Sequence, residues 1–229
     1  MAEDPQFVRV LEAAARLQEL LPDAVLVGGS AAAHRAGHRV SLDDDHVLGD
    51  LRERFDEILG VLEQTDGWVT PRVRPQVLNL GSLDGVETGI RQLIRRRPLE
   101  VEEIPLGTRR LKVPTLDEIL RIKAWLVLRR NATRDFLDVV ALAERIGARE
   151  SARVIVRIDD FYEDQIGGGG RRVATQLVKQ LADPAPYDLS DVDLAHYRKL
   201  DSRWRDWSNV ARAAQGLAGD ALDLLAEGG

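Results

Sequence analysis

The chain has 229 residues, 44% of them apolar, enough for one generous domain or two small ones to bury a core. Thirty-two basic against thirty-eight acidic side chains leave a net charge of −6, which argues against a nucleic-acid coat or a polybasic membrane binder. The absence of cysteine excludes disulfides, thiolate zinc sites and a cysteine nucleophile. No apolar run reaches the ~18 residues of a membrane span, and MAEDPQF carries no basic-then-apolar leader, so the expectation is a cytoplasmic protein with no membrane partner.

In chain order, Asp4-Pro5 opens the helical pattern PQFVRVLEAAARLQELL, which Pro22-Asp23 closes. The apolar run Ala24-Val25-Leu26-Val27 reads as a strand, Gly28-Gly29-Ser30 as a tight turn, and SAAAHRAG as a helix. HRVSLDDDHVLGD looks like a second strand with an acidic centre, and LRERFDEILGVLEQ is an amphipathic helix with Leu51, Phe55, Ile58, Leu59 and Leu62 on one stripe. From Gly67 to Leu83 the pattern is β; IRQLIRR reads as a short helix, and VEEIPL and RRLKVP as a hairpin over Gly107-Thr108. After Pro114-Thr115 the helical segments DEILRIKAWLVLRR, RDFLDVVALAERIG and SARVIVRIDDFYEDQI follow one another. Gly167–Gly170 reads as a linker, and the remainder, with Trp204 and Trp207, as helical. The expectation is an α+β protein: an α/β domain over 1–114, with a mixed sheet and flanking helices, then an all-α domain over 115–229.

Alternate strand residues share a face, so Asp43 and Asp45 project to one side, about 7 Å apart, and Asp44 to the other. Such a pair offers hard oxygen ligands to magnesium for phosphoryl transfer, although an isolated acidic run also fits a solvated turn. Gly28-Gly29-Ser30 between a strand and a helix aims backbone N–H groups and a hydroxyl at one point, a common way of holding phosphate. His34 and His38 have the spacing of a metal pair but lack a third ligand, and His46 points away from the acidic pair. Arg39 and His46 approximate a ribonuclease arginine–histidine spacing, but they flank a strand pattern rather than lying on a helix.

VGGSAAAHRAGHRVSLDDDHVL resembles the first motif of the DNA polymerase β-like nucleotidyltransferases. LDGVETGIRQLIRR and VPTLDEILRIKAWLVLRRNATRDFLDVVAL are similar to the AbiEii/MenT group, the nucleotidyltransferase-like toxins of bacterial toxin–antitoxin pairs. The resemblance runs from about Val27 to Leu142. It implies the polymerase β-like fold and metal-dependent transfer of a nucleotide from an NTP to the 3′ end of tRNA, with a cognate antitoxin as partner. Carried onto this chain, Gly29 and Ser30 hold the triphosphate, Asp43 and Asp45 bind two Mg²⁺ (or Mn²⁺), and Ser41 matches an active-site position. A third metal carboxylate belongs on a later strand, with Asp84 and Glu87 as candidates.

Only four lysines occur, and Lys123 sits among Leu120, Ile122, Ala124, Trp125 and Leu126. Its ammonium either snorkels to the surface or binds phosphate. On one continuous helix, Lys123 and Asp138 would stand about 22 Å apart. Asn131-Ala132-Thr133 offers a break, asparagine ending one helix in the left-handed region and threonine capping the next. A hairpin there brings together Lys123, Asp138, Arg130 and Arg134. The resemblance, a lysine on one helix and Arg134-Asp135-x-x-Asp138 opening the next, makes Lys123 and Asp138 catalytic, with Asp138 as the catalytic or lysine-orienting acid, and the hairpin geometry places Arg130 and Arg134 with the triphosphate. The alternatives are a small-molecule acceptor such as an aminoglycoside, a protein acceptor, or a binding module that has lost the chemistry. Between Val86 and Arg134, twelve basic residues stand against six acidic ones, a local +6 that suits an RNA acceptor.

Overall fold

The computed structural model describes residues 4–165 and 172–227, so the glycine run expected to be a linker lies outside the described residues. Two compact units divide the chain: residues 1–34 with 40–115, and residues 35–39 with 116–229.

In the first unit, α1 (Pro5–Leu20) starts where the Asp4 carboxylate accepts hydrogen bonds from the Gln6 and Phe7 N–H groups. There follow β1 (Val25–Leu26), α2 (Gly28–Ala36), β2 (Asp44–Leu48), α3 (Phe55–Glu63), β3 (Trp68–Arg74), β4 (Leu78–Leu83) and β5 (Val86–Gln92). These strands form one mixed sheet in the order β1-β2-β5-β4-β3. Only β2 and β5 run parallel; the other neighbours are antiparallel. β6 (Val101–Leu106) and β7 (Arg109–Pro114) form a separate antiparallel hairpin.

Register assigns the two faces of the sheet. Leu48, Ile90, Leu83 and Trp68 point to one side, where they pack with Leu17 of α1, Leu21 just beyond it, and Phe55, Ile58 and Leu62 of α3. The opposite face carries Asp45, Gly89, Leu80 and Arg72 in one row, since Asp45 pairs with Gly89, Gly89 with Leu80, and Leu80 with Arg72.

Two sequence expectations are corrected here. The strand expected over 38–50 begins only at Asp44, because residues before it have no ladder partner. IRQLIRR is not a helix: Ile90, Arg91 and Gln92 complete β5, paired with His46, Val47 and Leu48 on one side. A short pattern of apolar residues cannot separate helix from strand without the partners.

The second unit is helical: α4 (Leu116–Arg130), α5 (Thr133–Ile146), α6 (Ala148–Val156), α7 (Asp159–Tyr162), α8 (Val173–Ala182) and α9 (Trp207–Glu227). Asn131 takes a left-handed φ of 48° and ends α4, as its residue type allows. Thr133, however, does not cap α5. The Asp188 carboxylate does so from far along the chain, accepting from the Thr133 N–H at 2.7 Å and its hydroxyl at 2.8 Å. Phe136 of α5 meets the Trp207 ring edge-on at 5.8 Å between centroids, and Trp125 of α4 stacks on Tyr162 at 4.5 Å. Trp204 is buried in a 3₁₀ turn over Ser202–Arg205.

Candidate functional site

The acidic run alternates as its spacing requires. Asp43, just ahead of β2, is exposed, and Asp45 is 31% exposed on the open face of the sheet. Asp44 and His46 are fully buried on the core face, with Asp44 Oδ1 3.0 Å from His46 Nδ1. His46 Nε2 lies 3.3 Å from the Gln18 amide nitrogen, which also donates to the Lys112 carbonyl at 2.9 Å. The Gln18 N–H thus points at Nε2, while His46 Nδ1 and Asp44 Oδ1, though close, have no hydrogen-bond partner among the described residues. This inner pair fixes β2 against α1 and leaves Asp43 and Asp45 to the other face.

Backbone closes on Asp45 from two sides. A Cβ on Gly28, whose φ is +70°, would stand 2.9 Å from Asp45 Oδ2, and one on Gly89 would stand 2.8 Å from Oδ1. At Gly28 the left-handed φ and the Asp45 Cβ at 2.9 Å require glycine, whereas at Gly89 an added Cβ would push the carboxylate oxygen from its present position. The Val27 N–H donates to the Asp45 carbonyl at 2.7 Å, and Arg91 Nε lies 3.7 Å from Oδ1.

Ser30 is fully buried, and its hydroxyl donates to the Asp43 carbonyl at 2.5 Å, with the Ser41 carbonyl at 3.4 Å. A hydroxyl has one proton, so Ser30 braces the loop that carries Ser41 and Asp43 instead of presenting a free donor to phosphate. Ser41 is itself buried. Gly29 is partly exposed in the first turn of α2, where N–H groups have no acceptor within the helix. Those N–H groups are the donors this turn leaves for an acceptor outside the helix.

Of the two candidates for a third carboxylate, Asp84 occupies the β4–β5 turn at φ 52° and is paired with Arg16. Glu87, two residues before Gly89 on β5, is exposed on the face of Asp45. Among the described residues, no group of three His, Cys, Asp or Glu side chains could hold a metal ion. The donor set is therefore a pair of hard carboxylates beside a cradle kept open by two glycines. That chemistry fits a small divalent cation that keeps several waters. His34 and His38 do not form a zinc pair, because His38 is engaged elsewhere.

That engagement is in the second unit, which includes residues 35–39. The α4–α5 hairpin sets Lys123 Nζ 2.7 Å from Asp138 Oδ2. Arg39 makes a two-pronged contact with the same carboxylate, Nε at 2.9 Å and a terminal nitrogen at 3.1 Å, and His38 Nε2 lies 2.8 Å from Oδ1. Burial pushes the Asp138 carboxyl up, but Arg39, Lys123 and His38 outweigh it and hold it well below the usual carboxylate range. Burial pushes His38 down despite Asp138, so its Nε2–H donates as a neutral ring, and Nδ1 finds no hydrogen-bond partner. Lys123 is only 3% exposed, so it does not snorkel. Arg130 pairs with buried Asp135 at 3.0 Å, and burial pushes that carboxyl up against the pull of Lys123 and Arg130. Arg134 is exposed.

The sequence offered His38 and Arg39 other roles than partners of Asp138, and Asp188, Gly89 and Arg91 were not assigned to their sites from it. Gly89 had a legible signal, since a glycine inside a strand pattern marks close backbone approach. The others have no local signal, for their partners lie about a hundred residues away (His38, Arg39), fifty-five away (Asp188) or across a parallel ladder (Arg91).

No protein-family model matches the chain. The heme uptake protein MmpL11 of Mycobacterium tuberculosis is 32% identical over 208 residues, covering 80% of this chain and 20% of that protein. The mycolic acid-containing lipids exporter MmpL11 of Mycolicibacterium smegmatis is 35% identical over 125 residues, covering 54% of this chain and 13% of that one. The chain thus spans at most about 20% of the length of these curated relatives. Among solved structures, a protein from H. pylori described as a nucleotidyltransferase matches with a TM-score of 0.55 at 17% identity, covering 95% of this chain and 94% of the other. The antibiotic-resistance factor ANT(2'')-Ia matches 69% of this chain with a TM-score of 0.49. The first of these, spanning nearly all of both chains, carries the assignment: the chain has the mixed α+β fold of nucleotidyltransferases.

Proposed function

We propose that the chain is a metal-dependent nucleotidyltransferase that passes a nucleotide from an NTP to an RNA acceptor, the 3′ end of tRNA, as the toxin of a toxin–antitoxin pair. The observation that carries the reading is the Asp45 carboxylate, held between Gly28 and Gly89 directly beside the first turn of α2. The acceptor and the antitoxin partner rest on the sequence resemblance. Asp43 and Asp45 hold the cation, Mg²⁺ or Mn²⁺, which when bound neutralises phosphate charge and eases deprotonation of the attacking hydroxyl. The N–H groups around Gly29 take phosphate oxygens, while Ser30 and Ser41 keep the Asp43 loop in place. Lys123 is assigned to the triphosphate, with Asp138 orienting it. In support, the ion pair with Asp138 leaves two of the ammonium's three N–H donors for another acceptor. The terminal hydroxyl attacks the α-phosphorus, a new O–P bond forms, and pyrophosphate leaves.

The test is incubation of the protein with each α-labelled NTP and total tRNA in Mg²⁺, beside Asp43→Ala. Label in RNA from the wild type and a loss of at least a hundredfold in the variant is the expected result. Label in protein, or no label in RNA with any NTP, contradicts it.

Two observations favour a second reading, a nucleotide-binding module without turnover. Arg91 stands beside Asp45, and the chain resembles a stretch of proteins named for transport. Under that reading the protein retains NTP in equilibrium dialysis and labels no acceptor.

A further inference from the structure

The sheet face opposite the α1 and α3 core is divided by charge. At the β2 and β5 end stand Asp43, Asp45 and Glu87. Two rows then cross the sheet toward its edge strand: Asp45, Gly89, Leu80 and Arg72 in one, Val47, Arg91, Leu78 and Arg74 in the next. The side chains of Arg72 and Arg74 are exposed and have no ion-pair or hydrogen-bond partner among the described residues, and Arg91 is 52% exposed. Between these arginines and the acids, β4 contributes only Leu78, which is buried, and Leu80 and Ser82, which are partly exposed. Three strand spacings separate β2 from β3, about 14 Å. That is farther than one triphosphate on the acid pair needs to reach.

Charged residues on an edge strand also keep other strands from pairing with it. That purpose is served by either sign and by either face. Here both cations lie on the face of Asp45, in line with it and with Arg91, and no acid answers them.

We propose that this face is the track of the acceptor: Arg91, Arg72 and Arg74 contact successive phosphates of a single-stranded RNA whose 3′ end lies at the acid pair. The inference rests on the nucleotidyltransferase reading above and adds to it the surface that receives the acceptor. The face presents no aromatic side chain among these row residues, so bases have no stacking platform. Binding is therefore through the backbone, tolerant of sequence and steep in salt. A polycationic acceptor such as an aminoglycoside meets like charge along the same path.

The test is fluorescence anisotropy of an end-labelled single-stranded RNA with a free 3′ hydroxyl, titrated at several salt concentrations without NTP or metal. The proteins are wild type, Arg72→Gln/Arg74→Gln, Arg72→Lys/Arg74→Lys, Asp45→Asn, and the control Arg157→Gln/Arg212→Gln, which removes two exposed charges from the second unit. Loss of two phosphate contacts lowers the slope of log affinity against log salt by about 1.4. The glutamine pair should show that drop with binding about tenfold weaker or more, while the lysine pair, Asp45→Asn and the control stay near wild type. An unchanged slope in a glutamine variant that melts like wild type overturns the track, as does an equal loss in the control or a wild type that binds no RNA. Because binding is read without turnover, loss of transfer in Asp45→Asn with RNA binding retained separates the two claims. A protein that binds RNA along this face yet transfers nothing leaves the track standing and the transfer reading refuted.

Discussion

At the scale of single residues, Asp138 decides the most. One buried carboxylate is shared by Lys123, Arg39 and His38, so removing its charge strands two cations in the interior. Asp138→Asn is expected to cost about 3–5 kcal/mol at neutral pH. The pH dependence follows from the directions of the two shifts. His38, facing Asp138, Arg39 and Lys123, has its folded value pushed down by burial, so below about pH 6.5 the unfolded chain binds a proton that the folded chain refuses. Stability therefore falls as pH drops through that window. Asp138 has its folded value held down by its cations, so its contribution is complete above about pH 4 and is lost as pH falls through the folded value. Urea midpoints measured from pH 8 to pH 3 should fall in both windows for wild type, and His38→Gln should flatten only the upper one. An unaltered profile in His38→Gln contradicts this account of the cluster.

At the scale of elements, much was legible because the signals are local. The start of α1 at Asp4-Pro5, the hairpin over Gly107-Thr108 and the break at Asn131 each rest on residue types whose backbone preferences act within a few positions. The face of the acidic run followed from strand alternation alone. What the sequence hid was non-local. β5 read as a helix because Ile90 and Arg91 acquire strand geometry from β2 and β4, more than forty residues and about ten residues upstream. The cap of α5 likewise comes from Asp188, fifty-five residues beyond Thr133. Replacing Asp188 by alanine removes both hydrogen bonds and leaves the Thr133 N–H without its acceptor. It is expected to destabilise the protein by about 1–2 kcal/mol, seen as a lower urea midpoint with the slope unchanged; no change in midpoint contradicts the cap.

At the scale of the whole molecule, the local charge balance reads differently once the partners are known. The segment from Val86 to Arg134 carries a surplus of basic residues, but Arg121 pairs with Glu118, Lys123 with Asp138 and Arg130 with Asp135. The unanswered cations on the acidic face are instead Arg72 and Arg74, which lie outside that segment. A net charge of −6 is thus compatible with a phosphate-bearing ligand at one face of one sheet. Among the described residues, no helix is long and apolar enough to cross a membrane.

The proposed cation site centres on Asp45, and metal binding tests it without knowledge of the nucleotide or the acceptor. Electron paramagnetic resonance of free Mn²⁺, titrated into the protein with and without ATP, reads that binding directly. Wild type should take up Mn²⁺, more tightly with ATP present. Asp45→Asn should lose at least tenfold in affinity, and so should Gly89→Ala, whose new Cβ crowds the carboxylate. Equal Mn²⁺ affinity in wild type and Asp45→Asn, or no uptake by wild type even with ATP, would contradict it.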